Sequence, residues 1–107
     1  MPFLSLKDLA ERELAPGFRV RFVHTDAMTL AYWDIRSGSV LPDHAHPHEQ
    51  VVNPVEGRFE LTVDGETKLL TPGEVAVVPP DVLHGGRALT DCRIIDVFHP
   101  VREDYRA

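Results

Sequence analysis

GSVLPDHAHPHEQVVNPVEG, residues 38–57, is the stretch on which the reading of the whole chain turns. His44, His46 and His48 stand at alternate positions, Glu49 and Gln50 follow at once, and a glycine closes the stretch on either side. Alternate side chains of an extended strand share a face. The pattern therefore predicts a strand and its bend that aim imidazoles into one cavity, as a metal site requires. His48 has the parity of the other two and would compete for the ion with His46 or Gln50. Pro47, which cannot donate to a sheet ladder, predicts a bulge that turns His48 aside to the rim. Alternation sends Glu49 to the opposite face, so it becomes a ligand only if the strand slips by one residue.

Working outward, the chain breaks into short apolar-polar runs separated by Gly, Pro and Asp. Strands are predicted near 18–24, 28–36, 48–55, 58–63, 67–70, 74–78 and 92–98. Asp64-Gly65 is a two-residue hairpin signal, because both central positions favour positive φ. Ser37-Gly38 and Thr71-Pro72-Gly73 mark further turns. Many short strands without a repeat predict an all-β antiparallel sandwich or small barrel. Ahead of them, residues 5–15 predict a short amphipathic helix, with Ser5 as cap, Leu6, Leu9, Ala10 and Leu14 on one face, and Pro16-Gly17 as its stop. The expected division is an N-terminal helical segment, 1–17, and a β-barrel domain, 18–107.

A chain of 107 residues makes one domain with a modest core. Seventeen acidic against eleven basic residues leave a net charge of −6. With no Lys/Arg cluster to neutralise phosphates, nucleic acid is excluded as a partner. The single Cys92 offers no intrachain disulfide and fits a reducing cytoplasm. The N-terminal stretch reads as neither signal peptide nor membrane span, so no membrane partner is expected.

The spacing in the opening stretch resembles the first cupin motif, G-x5-H-x-H-x3/4-E-x6-G. Gly38, His44, His46, Gln50 and Gly57 fall on its positions, with Gln50 where the motif has an acid. The second cupin motif, G-x5-P-x-G-x2-H-x3-N, is met by Gly73, Pro79 and His84, with Asp81 at a glycine and Ala88 at the asparagine. The resemblance runs from Phe18 almost to the end and implies a cupin jelly-roll barrel. Its ligand set implies His44, His46, Gln50 and His84 around one divalent transition metal ion, Zn, Ni, Mn or Fe. A ligand shell without a carboxylate leaves the ion its full charge. That favours an anionic or polyoxygenated substrate and gives less support to a higher iron oxidation state. His24 reads as a turn residue and His99 as a surface one.

The last sixteen residues, CRIIDVFHPVREDYRA, carry the second informative pattern. Ile94, Asp96 and Phe98 share one strand face and Ile95 and Val97 the other. If the first face looks inward, Asp96 is a carboxylate in an apolar cavity, with a raised pKa suited to proton transfer. Arg102 could fold back over the mouth and bind a substrate carboxylate with its planar fork. The competing reading makes Arg102, Glu103 and Asp104 a solvated charge cluster and pairs Asp96 with Arg93 or Arg58. D-x-F-x-P-x-R-E-D-Y is similar to the tail of small cupins related to the pectin-degradation, uronate-linearising group. That resemblance implies substrate-side roles for Asp96, Phe98 and Arg102. It also implies redox-neutral conversion of a cyclic 4,5-unsaturated uronate into linear 5-keto-4-deoxyuronate. Two departures stand out: Asn53-Pro54 interrupts a strand, and Asp81 replaces a turn glycine.

Two other functions fit a metal-binding barrel: an Fe(II)-dependent dioxygenase, which would consume oxygen, and a non-catalytic metal- or sugar-binding module. The outward Ile95 and Val97, with an open sheet edge, predict a symmetric homodimer.

Overall fold

Strands that alternate buried and exposed positions enclose an apolar interior only when two sheets face one another. The computed structural model describes residues 2–106. A 3-10 turn at Leu6–Asp8 precedes strands β1 (Arg12–Ala15), β2 (Phe18–His24), β3 (Thr29–Ile35), β4 (Val40–His44) and β5 (Glu49–Glu56). There follow β6 (Phe59–Val63), β7 (Glu66–Leu70), β8 (Ala76–Val78), β9 (His84–Ala88), β10 (Cys92–His99) and a helical turn, α1 (Glu103–Arg106). One sheet has the order β1-β2-β3-β10-β5-β8 and the other β4-β9-β6-β7. All pairings are antiparallel.

The main core cluster includes Phe18, Ile35, Val52, Phe59, Leu61, Leu70, Val78 and Ile94. A smaller one joins Val20, Ala31 and Phe98, with Phe22 and Trp33 packed against it. Each large side chain so buried contributes about 1.5–3 kcal/mol. β10 runs between β3 and β5. Its Ile94, Asp96 and Phe98 are buried, while Ile95 and Val97 are half-buried. The inward face read from alternation is therefore the one observed. Asp64-Gly65 turns β6 into β7, with φ of 50° and 81°.

The N-terminal helix is not formed. Residues 12–15 are instead an edge strand, Arg12 opposite Val20 and Glu13 opposite Arg19. An isolated helix of about ten residues is marginal in water, and Leu6 and Leu14 are exposed rather than gathered on a buried face. Pairing with β2 gives the same backbone groups partners and puts Leu14 and Ala15 beside the barrel cavity.

The predicted strand runs leave out the extents of β4 and β9, although His44 is expected on a strand and its bend and His84 on a separate strand, because Pro42-Asp43 and Gly85-Gly86 are strand-poor. The glycines answer to close approach. A Cβ at Gly85 would lie 2.7 Å from the Leu41 carbonyl oxygen, and one at Gly86 2.6 Å from that of Glu60. β9 is thus gripped between β4 and β6. Pro54 does not end β5; it is fully buried beyond the stretch paired with β8, where the β5–β10 register shifts. Asp81 takes the left-handed conformation, φ 64°, which glycine would adopt freely and which Asp tolerates better than most residues.

Candidate metal centre

The three histidines reach one point from three different segments. His44 ends β4 and His84 opens β9, and the two are direct cross-strand partners. His46 lies in the bend between β4 and β5, where its carbonyl accepts the Asp81 N–H at 2.8 Å. The expected arrangement on one strand and its bend is corrected accordingly: Pro47 opens a turn, and only Gln50 belongs to β5. Ring centroids are 4.3 Å apart for His44–His84 and 4.9 Å for His46–His84. One nitrogen of each of the three rings lies within 4.8 Å of the other two.

Each ring is held through Nδ1 by a backbone carbonyl: Pro42 for His44 at 3.1 Å, His48 for His46 at 3.1 Å and Val82 for His84 at 2.8 Å. A carbonyl oxygen only accepts, so each Nδ1 carries the hydrogen and each Nε2 keeps a lone pair. This is how metal-binding imidazoles are oriented. Burial, with the Arg102 and His84 charges adding to it, brings the His46 pKa down to about 4. Burial likewise lowers that of His84. Both rings are neutral at pH 7.

The neutral His46 ring poses a problem that an ion resolves. Its Nε2 lies 3.1 Å from Gln50 Oε1, while the Gln50 Nε2 donates to Asp96 Oδ2 at 2.9 Å. A neutral imidazole has one N–H, and it cannot serve both the His48 carbonyl and the Gln50 oxygen. One contact is therefore lone pair against lone pair. A cation held by both atoms would turn that contact from repulsive to attractive. His84 Nε2 is also left over, buried with no hydrogen-bond partner among the described residues. These residues fit a divalent metal ion.

Behind the histidines lies a carboxylate. Asp96 is buried, and its Oδ2 accepts both the Gln50 amide and the Trp33 indole N–H, the latter at 3.1 Å. Burial raises its pKa to about 7, against the opposing pull of those two hydrogen bonds and the Arg102 charge. Oδ1 has no partner. The pairing also accounts for the glutamine at a motif position that expects an acid. A second carboxylate there could not donate to Asp96. Arg93 pairs with Asp34 instead, so Asp96 is not half of a surface ion pair.

Arg102 is buried, not part of a solvated cluster. Its guanidinium lies over the Phe98 and Tyr105 rings, 4.8 and 4.0 Å from their centroids. It also pairs with Asp104, Nε to Oδ1 at 3.0 Å and Nη2 to Oδ2 at 2.7 Å. With His44, Phe98, Trp33 and Tyr105 it lines a cavity of about 340 Å³. Asp96 borders a smaller void of about 40 Å³, bounded by Phe18, Trp33 and Leu41, which line the larger cavity as well. A depression of about 460 Å³ under Leu6 and Lys7, between Tyr32 and Ile95, has none of these histidines in its wall.

His48 stands beside the group, its ring 5.5 Å from His46 and its Nδ1 buried without a partner. Glu49 is exposed opposite His99, which ends β10. His24 ends β2 and meets Thr29 Oγ1 at 2.8 Å. Sequence reasoning missed Trp33, Asp104 and Tyr105. The parity of Trp33 with buried Ala31 and Ile35 on β3 was the available signal. The other two follow the last strand, and their signal was their place at the end of the R-E-D-Y tail.

Residues 31–98 match the cupin domain family. The chain is 26% identical over 96 residues to the pectin degradation protein KdgF of Dickeya dadantii, covering 87% of each. The solved structure of KdgF from Halomonas sp. superposes with a TM-score of 0.90 at 31% identity, over 97% of both chains. An RmlC-like cupin from Shewanella frigidimarina gives 0.91 at 32% identity, over 98% of this chain and 96% of the other.

Proposed function

This chain belongs to the cupin domain family, and from that membership we propose that it is a metal-dependent enzyme converting a cyclic 4,5-unsaturated uronate into linear 5-keto-4-deoxyuronate. His44, His46, His84 and Gln50 Oε1 would hold the ion, one of Zn, Ni, Mn or Fe. When bound, the ion supplies Lewis-acid polarisation of a substrate oxygen.

The reaction is redox-neutral. One proton leaves the C1 hydroxyl, the bond from C1 to the ring oxygen opens, and one proton arrives at C4 as C5 becomes a carbonyl. It needs a group that holds and releases a proton near pH 7. The observation that carries this reading is Asp96, a buried carboxyl with a pKa of about 7, bonded to Gln50 and Trp33 and with Oδ1 unclaimed. Arg102 binds the substrate carboxylate from the cavity wall, and Phe98 and Trp33 exclude water. The similarity to KdgF proteins over nearly the whole chain supports the substrate class.

The direct test follows the ultraviolet absorbance of the unsaturated uronate. Protein loaded with a divalent metal should abolish it, and chelation should stop the loss. Persistence of the absorbance with every one of the four metals would end the proposal. A cytoplasmic homodimer completes the reading. Val55, Val75 and Val77 are exposed near the sheet edge at β8, and sedimentation of a monomer at micromolar concentration would remove that part.

A further inference from the structure

Arg102 is incompletely paired for so buried a cation. Its side chain is 7% exposed, yet its hydrogen bonds among the described residues use only the backbone N, Nε and Nη2. A guanidinium has five N–H groups. Asp104 takes the Nε–Nη2 edge and the Tyr105 hydroxyl lies within reach of the guanidinium, but among the described residues no second carboxylate pairs with it. None of its nitrogens is a buried donor without a partner, and Arg102 lines the cavity, where a ligand can meet the remaining edge. The guanidinium also packs on two rings, and the backbone that carries it is anchored. Thr29 Oγ1 accepts the Arg102 backbone N–H at 2.9 Å, and Phe98 and Tyr105 pack against the guanidinium.

Resting on the sugar-acid reading above, we propose that Asp104 is a positioning residue that occupies one edge of the Arg102 guanidinium so that the other edge meets the carboxylate of the substrate. Carboxylate and guanidinium geometries match in such a two-point contact. A fork fixed beforehand loses little freedom on binding. Asp104 is itself largely exposed, at 55% for its side chain. It acts as an outer brace between solvent and the buried cation and touches no reacting atom.

The test compares a 4,5-unsaturated uronate with its methyl ester, whose neutral C6 group offers no charge to Arg102. In metal-loaded Asp104→Asn the KM for the acid should rise about tenfold, the loss expected for a weakened charge-assisted contact. kcat should stay within about twofold, and the ester's KM should not change. Equal losses for acid and ester would make Asp104 merely structural. An unchanged or lowered KM for the acid would make it a competitor that the substrate displaces. Either result overturns the proposal.

A second measurement needs no variant. In zinc-loaded wild-type protein, titration with galacturonate should move the Arg102 Nη signals by nuclear magnetic resonance and leave its Nε–H signal in place. Loss of the Nε–H signal, or no response at all, overturns the proposal even if Asp104→Asn fails to fold. If the unsaturated uronate is never turned over but the Nη signals respond as described, the enzymatic reading fails and the brace stands.

Discussion

Replacing Asp96 by Asn should stabilise the metal-free protein above neutral pH and remove its activity. Burial takes this carboxyl from an ordinary 3.8 to about 7. The folded state therefore keeps a proton across a range in which the unfolded chain has lost it. Below about pH 4 both states are protonated, and the protonated group costs nothing. From there to about pH 7 unfolding releases the proton, so stability falls as pH rises. Above that both states are ionised and the loss is complete. At about 1.4 kcal/mol per pH unit, a span of about three units amounts to about 4 kcal/mol. Asparagine keeps an oxygen that accepts from Trp33 and Gln50, and it mimics the protonated acid at every pH. Urea titrations of chelator-treated protein between pH 4.5 and 8.5 should show the variant ahead of wild type by only about 1 kcal/mol at the acid end. The variant should gain about 4 kcal/mol by the alkaline end. The lowered pKa values of His46 and His84 act in the opposite sense, but they are common to both proteins and cancel in the difference. A difference that does not change with pH would refute the buried charge. A stabilised variant that still turns over substrate would take Asp96 out of the chemistry.

Gln50→Glu should bring two carboxylates to the 2.9 Å now spanned by an amide hydrogen bond. Since they cannot both ionise, the metal-free variant should lose about 1–3 kcal/mol between pH 5 and pH 8, and Asp96→Asn in the same chain should restore it in a double-mutant cycle. His84→Ala removes a buried imidazole whose Nε2 has no protein partner, so elemental analysis should find far less than one metal per chain while circular dichroism retains the strands. In the wild type, chelation should lower the Tm, because an ion bound only by the folded state stabilises it by mass action; an unchanged Tm would argue against the site. Gly57→Ala combines a φ of 90° with a Cβ only 2.2 Å from the Asp91 carbonyl oxygen, and denaturant unfolding should register a loss of roughly 2 kcal/mol or more.

The barrel was readable because its signals are local. Alternation along CRIIDVFH sorts inward from outward residues, and Asp64-Gly65 announces its own turn. The N-terminal helix failed for a physical reason. The leucine spacing at Leu6, Leu9 and Leu14 is real, but no surface awaits that face, whereas the free edge of β2 takes the same residues as a strand. The extents of β4 and β9, though not the strand placement of His44 and His84, were hidden in the reverse way, since a strand containing Gly85-Gly86 is stable only where neighbouring backbones come too close for a side chain. Arg102 was foreseen at the mouth, but its brace at Asp104 and the Tyr105 ring belong to a turn that strand and helix periodicity does not describe.

The glutamine at position 50 shows where reading a motif one residue at a time stops. Taken alone, Gln50 is a departure that removes a negative charge from the ligand shell. Beside Asp96 it is the residue that lets a carboxyl stay buried. Its amide hydrogen satisfies Oδ2 and its carbonyl oxygen faces His46, so the negative group sits one hydrogen bond away from the candidate ion rather than on it. A ligand position and a proton-holding position are thereby coupled through a side chain that can donate to one and accept from the other, which an acid at position 50 could not do unless it kept its proton. The two positions lie on β5 and β10, paired at Val52 opposite Asp96 and Gln50 opposite Phe98. The identity of residue 50 is therefore intelligible only with the residue that the neighbouring strand sets beside it.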